Sequence, residues 1–169
     1  MTSAAKMLVC ALLLLFALAG QARAQNGVSI LVPMGNGGNA ISSDGTDPKT
    51  WDPKLEATIA APANHKIIYE DDDVRVLLVT LKPGEREKPH DHPWPSIMVV
   101  LNVPRGGGGN IDAHGNRQPM SPLPASFVLP LVVRGAPEAL HSNYNDDPSG
   151  TFRAIRIEFK HGFPKNPAQ

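Results

Sequence analysis

Three of the six histidines in this chain are placed to supply metal-binding nitrogen. His90 and His92 are two residues apart, so on an extended strand both imidazoles leave the same face. His141 follows about fifty residues later. In a small barrel, an inward pair on one strand and a third histidine on a nearby strand can meet at one ion. Neutral imidazole suits zinc, iron, nickel or copper, and three facial nitrogens leave positions open for water or substrate. The plainer alternative stands beside this one: an isolated H-x-H is a weak signal, and histidines at turn edges are often merely solvated. His65, His114 and His161 sit in turn or terminal contexts and read as surface residues.

Such a site needs strands to carry it, and the period-two pattern begins after residue 63. Residues 66–69 read as a strand, followed by an acidic turn at Glu70, Asp71, Asp72 and Asp73. Val74 to Leu81 alternates apolar residues on both faces and is expected to be buried on both. Residues 82–85 read as a turn. Residues 96–103 form the next buried strand, and the four glycines 106–109 a hairpin loop, since no helix follows to make a phosphate cradle. Residues 127–133 are apolar but contain Pro130, which suggests an edge strand or a bulge. In 154–160 the alternation predicts Ile155, Ile157 and Phe159 inward, with Arg156, Glu158 and Lys160 facing water.

Composition points the same way. The chain has 169 residues with 15 glycines and 17 prolines, so turns are frequent and a helical bundle is not expected. Hydrophobic residues make up 41 %, too many for a disordered chain. Lys+Arg and Asp+Glu both number 16, without basic clustering, which argues against a nucleic-acid partner. Many short strands separated by turns imply a sandwich or barrel.

The first 24 residues read as a cleaved export signal: Lys6, an apolar run centred on Leu12, Leu13, Leu14, Leu15 and Phe16, then Ala22-Arg23-Ala24. The run is short of the roughly 20 residues that span a bilayer, so no membrane association is expected after cleavage. Cleavage removes Cys10, the single cysteine, and leaves only His, Asp and Glu as metal ligands. The expected organisation is a signal over 1–24, an irregular extension over 25–62, a barrel over 63–163 and a tail over 164–169. Within the extension, 28–32 is a candidate edge strand and 55–61 a candidate short helix.

Gly84, five residues, then His90-Asp91-His92 leading into an apolar strand resembles the first motif of the cupin superfamily. His141-Ser142-Asn143-Tyr144-Asn145 resembles the end of the second. The resemblance covers about residues 63–161 and implies an all-β, small antiparallel jelly-roll barrel with any metal inside its mouth. The ligands it implies are His90, His92 and His141, for a divalent iron, zinc, nickel, copper or manganese ion, or a site that has lost its metal. Two departures stand out: the family's glutamate after the second histidine falls at Ser96 or Ile97, and its glycine before the third is Glu138. Ser96 shares the parity of His90 and His92 and is expected to face inward.

Trp94, between Pro93 and Pro95, either stacks on a ligand at the mouth or caps the core. With Ser96, Met98 and Phe127 it is the expected ligand-pocket lining. Arg134, Glu138 and Tyr144 are near the third histidine, with a surface role favoured for each. Two functional classes remain: an exported metal-binding cupin, acting on a small organic substrate by oxygen activation or Lewis-acid chemistry if it is an enzyme, or a metal-free module for a sugar-like ligand. A homodimer through edge strands is compatible with either. Without a carboxylate at 96, proton competition for the imidazoles is expected to release metal from between about pH 6 and 7.

Overall fold

The computed structural model describes residues 29–31, 42–121 and 127–164. The expected leader and its expected cleavage site lie outside the described residues. In chain order the elements are β1 (Ser29–Leu31), two 3-10 turns (Pro48–Thr50 and Pro53–Leu55), α1 (Ala57–Ala60), β2 (His65–Glu70), β3 (Val74–Leu81), β4 (His90–His92), β5 (Ser96–Asn102), β6 (Gly109–Ile111), β7 (Arg117–Pro119), β8 (Leu131–Gly135), β9 (Glu138–Tyr144) and β10 (Phe152–Phe159). One sheet has the order β1-β8-β5-β10-β3-β2 and the other β4-β9-β6-β7. All neighbours are antiparallel except β1 and β8. This is the expected all-β jelly roll.

Local chemistry accounts for the strand breaks. Asp71 closes the β2–β3 hairpin by accepting from the amides of Asp73 and Val74 at 2.9 and 2.8 Å. The acidic run is therefore a turn built on its own side chain. After β3, Glu85 N–H donates to Lys82 C=O, and Gly84 supplies the positive φ, 69°, that the third turn position requires. Asp47 and Asp52 each cap a 3-10 turn that starts with proline, and the Glu56 side chain caps α1 through Thr58 N–H. Residues 42–61, expected to be irregular apart from a short helix over 55–61, are thus locally ordered, and α1 falls within that expected helix. A backbone bridge from Glu56 to Asp91 ties them to β4.

The apolar core is Leu77, Val79, Val100, Leu131 and Ala154, with Met98, Phe127, Leu129, Val133 and Phe152 packed against it. Burying each large apolar side chain contributes about 1.5–3 kcal/mol. β3 is buried on one face only: Leu77, Val79 and Leu81 point in, whereas Val76 and Leu78 are half-buried outside. Leu101 is exposed where β5 bulges against β10, between the pairs Val100–Ala154 and Asn102–Arg153. β8 starts at Leu131, because Pro130 has no N–H for the ladder. It is not an edge, since β1 pairs along its other side.

The largest correction concerns β10. Ala154, Arg156 and Glu158 are buried inside, and Ile155, Ile157 and Phe159 lie half-buried on the outer face. The strand runs from the apolar core into a polar interior, so its charged residues face inward. β2 holds a second surprise. Glu70 pairs with Arg75 and Tyr69 with Val76, but Ile67 pairs with Leu77 and His65 with Val79. Ile68 is an extra residue, and this bulge reverses the side-chain parity of everything before it.

Candidate metal centre

β4 carries His90 and His92 into the barrel, and β9 places His141 opposite His90 in the ladder. The ring centroids are 5.2 Å apart for His90–His92, 4.6 Å for His90–His141 and 5.8 Å for His92–His141. A fourth imidazole joins them. His65 is buried, with its centroid 4.5 Å from His90 and 5.0 Å from His92. The surface reading of His65 is therefore wrong, because the Ile68 bulge turns it onto the inward face that it shares with Val79. His114 and His161 are exposed, as expected.

Each of the four rings has Nδ1 against an oxygen. His90 meets Lys88 C=O at 2.8 Å, His141 meets Ala139 C=O at 2.8 Å, and His65 meets Ala61 C=O at 3.3 Å. His92 meets the Glu158 carboxylate at 2.7 Å. Carbonyls and carboxylates only accept, so these contacts assign the proton to Nδ1 and leave the Nε2 lone pairs free. Metal-ligating histidines are oriented by such partners. His90 Nε2 is fully buried and has no hydrogen-bond partner among the described residues. An unsatisfied buried acceptor calls for an explanation, and a bound ion supplies one.

Donor atoms lie within 4.8 Å of one another in two sets, His65 with His90 and His92, and His92 with Glu138 and His141. His92 belongs to both. Among the described residues no set holds all three of His90, His92 and His141: their rings are neighbours, but His90 groups with His65 and His141 with Glu138, each through His92. Glu138 Oε2 is 3.8 Å from His141 Nε2, and Glu87 Oε2 is 3.9 Å from His90 Nε2. Carboxylates are therefore present beside the nitrogens although position 96 is serine.

Burial dominates the electrostatics. It pushes His65 down to about 4 and His90 to about 3, with nearby imidazoles and Arg156 adding to the effect at one ring or the other. His92 is held well below the usual imidazole range, by burial first and then by the Arg156 guanidinium. Burial raises Glu87 to about 7 despite two hydrogen bonds from Asn143. It raises Glu158 to about 7 against the pull of Arg156 and Arg75. For Glu138 burial acts upward too, but Arg156 and His141 outweigh it and the carboxyl is lowered. Rings held neutral to such low pH move the expected onset of proton competition down from pH 6–7.

Arg156 organises the carboxylates. Its Nη1 donates to Glu138 Oε2 at 2.7 Å, and its Nε is 3.3 Å from Glu158 Oε1. A chain of charge then runs from Glu138 through Arg156 and Glu158 to His92. Sequence reading missed Arg156 and Glu158 because alternation alone put them outside. Two signals pointed to Glu138, its departure from the glycine of the motif and its nearness to His141, although a surface role was the favoured expectation.

Beside the histidines is a cavity of about 630 Å³, lined in part by His65, His92, His141, Glu138, Met98 and Tyr144. Of the expected pocket residues only Met98 lines it. Trp94 lies under the Arg75 guanidinium, 4.6 Å from the ring centroid, and near Lys160. Ser96 is buried opposite Glu158 in the ladder without reaching the cavity, and Phe127 packs on the apolar core. Arg134 stacks on Phe163. The glycine loop has no vacant anion cradle at its start, since the amides of Arg105 and Gly106 both donate to Asp147.

No protein-family model matches the chain, and no curated protein does. Solved structures do. A cupin domain from Bordetella pertussis Tohama I is 15 % identical, with 57 % of this chain and 91 % of that one covered at a TM-score of 0.44. A cupin-like protein from Thermotoga maritima is 22 % identical over 56 % of this chain and 65 % of its own, at 0.37. The polyketide cyclase RemF from Streptomyces resistomycificus is 22 % identical over 56 % and 63 %, at 0.34.

Proposed function

We propose that this protein is a member of the cupin superfamily that binds a divalent transition metal and presents it to a small organic molecule in the adjoining cavity. The observation that carries the reading is the common orientation of His65, His90, His92 and His141, each with Nδ1 on an acceptor, together with the partnerless buried Nε2 of His90. A donor set rich in imidazole suits iron, zinc, nickel or copper, with Glu138 as the carboxylate at hand.

When bound, the ion would supply Lewis acidity or, if redox-active, oxygen activation. The chain's own residues do the rest. Glu158 and the backbone carbonyls of Ala61, Lys88 and Ala139 hold the rings in one tautomer. Arg156 keeps Glu138 ionised and fixed at the cavity wall. Glu87, raised to about 7, can hold or release a proton beside His90. The expected reading of residues 1–24 as an export signal joins the proposal, tested by N-terminal sequencing of the protein from the culture medium or periplasm.

Elemental analysis of protein purified without a polyhistidine tag tests the metal. About one equivalent is expected in the wild type, with a loss of at least tenfold in His92→Ala, whose residue belongs to both donor sets. Substoichiometric metal that does not change in His90→Ala or His92→Ala would leave the metal-free binding module as the reading.

A further inference from the structure

Side chains alternate along β4, so His90 and His92 enter the barrel while Asp91 leaves by the opposite face. That face is covered by residues 42–61, and Glu56 bridges to Asp91 through the backbone. Asp91 is only 3 % exposed, yet among the described residues no hydrogen bond or ion pair reaches its carboxylate. A carboxylate so nearly buried, and open only to the cavity it lines, is costly to ionise without a counter-charge.

Next to Asp91 is a second cavity of about 260 Å³, which Trp51, Leu55 and Leu140 make apolar and Asp44 and Asp52 make acidic. Among the described residues no Lys, Arg or His lines it. The Trp51 indole is fixed by donation from Nε1 to Thr46 Oγ1 at 2.8 Å. Thr46 in turn donates to Asp44 through both its amide and its hydroxyl. The aromatic face and one of the carboxylates are thus tied together before any ligand arrives.

We propose that this cavity binds a small organic ammonium ion, with its charge against Asp91 and its alkyl part on Trp51. A buried carboxylate supplies the ion pair and an indole face adds cation–π attraction. A bare divalent metal fits less well. An ion held at the usual 2.3–2.6 Å by three oxygens requires them to be at most about twice that distance apart. Asp44, Asp52 and Asp91 do not form a set with oxygens within 4.8 Å of one another. An alkylammonium is wide enough to lie between them. The site is separate from the metal centre, since none of the metal ligands lines it, but Asp44, Ala113, Ala139 and Leu140 are walls of both cavities.

Trp51 and Trp94 are the only tryptophans in the chain, so Trp94→Phe makes Trp51 the sole reporter. This protein is titrated with n-butylammonium chloride at constant ionic strength, with sodium and calcium chlorides run in parallel. A saturable change in Trp51 emission with n-butylammonium alone is expected. It should weaken at least tenfold in Asp91→Asn with an unchanged circular dichroism spectrum. Asp52→Asn, at an exposed position where asparagine also caps the 3-10 turn, is the second variant and should weaken binding at least threefold. No saturable response to n-butylammonium, an equal response to calcium, or unchanged affinity in the folded variants would overturn the proposal.

Discussion

Replacing Glu158 by Gln keeps the side chain's shape and one oxygen to accept from His92 Nδ1, but removes a charge that is fully buried. If His92 is a ligand, Glu158 is the partner that fixes its tautomer and raises the basicity of its Nε2. Losing such a partner costs about 10–100-fold in metal affinity, or about 1.4–2.7 kcal/mol. Removing the anion also leaves Arg156 with Glu138 as its remaining carboxylate, which makes the interior more repulsive to a dication. Both effects have the same sign, so the upper half of the range is expected. The assay is a competition titration of metal-free protein with zinc and a chromophoric chelator at pH 8, above the value of about 7 at which Glu158 ionises. At pH 6 the difference should shrink, because wild-type Glu158 then carries a proton. A pH 8 affinity within a factor of two of wild type, in a variant with unchanged circular dichroism, would refute the role of Glu158 and weaken that of His92.

His65→Ala should weaken metal by about the same 10–100-fold, whereas His114→Ala, at an exposed turn, should leave it unchanged in the same titration. Ser96→Glu, which restores the motif's carboxylate, should not improve binding. It buries a second acid opposite Glu158 and should destabilise the fold by about 3 kcal/mol or more, read from urea unfolding. Asp147→Ala strips the acceptor from the amides of Arg105, Gly106, Ser149 and Gly150 and should cost about 2–4 kcal/mol, seen as a lowered Tm. Metal-free protein should lose stability in acid mainly below about pH 4.5. His65 and His90, lowered to about 4 and 3, and His92, also held well below the imidazole range, exclude protons that the unfolded chain binds below about 6.5. Glu87 and Glu158, raised to about 7, and Asp91, raised to about 6, bind protons first when folded, so three carboxyls offset three imidazoles down to about pH 4.5. Urea midpoints that fall steeply between pH 6.5 and 5 would contradict this balance.

The strands were legible where one rule governed them. Val74 to Leu81 is β3 to the residue, since a strong apolar run between an acidic turn and a Lys-Pro-Gly turn admits little else. That His90 and His92 share one face also followed from their spacing, but the donor set that contains both is completed by His65, while His141 groups with His92 and Glu138. The failures have a common cause. Period-two reading assumes that apolar residues face the core, and in β10 the interior is polar, so the strand was placed correctly with its faces exchanged. Arg156 and Glu158 are inside because each has an opposite charge or an imidazole to meet there. Such local violations of the pattern are where a functional site is expected. Trp94 was misplaced for a related reason: the half-buried Arg75 and Lys160 gave it a cationic cover that the sequence pattern does not reveal.

The extra residue in β2 has a consequence for how such a site can change over evolutionary time. Straightening the bulge without changing the length of β2 would pair Ile68 with Leu77, so that Tyr69 and Glu70 keep their partners while His65 falls opposite Thr80, on the outer face. A substitution that favours regular pairing at Ile68 would then take one imidazole out of the barrel without changing any residue of the centre. A bulge arising at the same place in a related hairpin could bring a surface side chain inward. The number of nitrogens in this interior is therefore set by strand pairing as much as by residue identity. Descendants of one barrel can differ in ligand count while their two histidine motifs read the same.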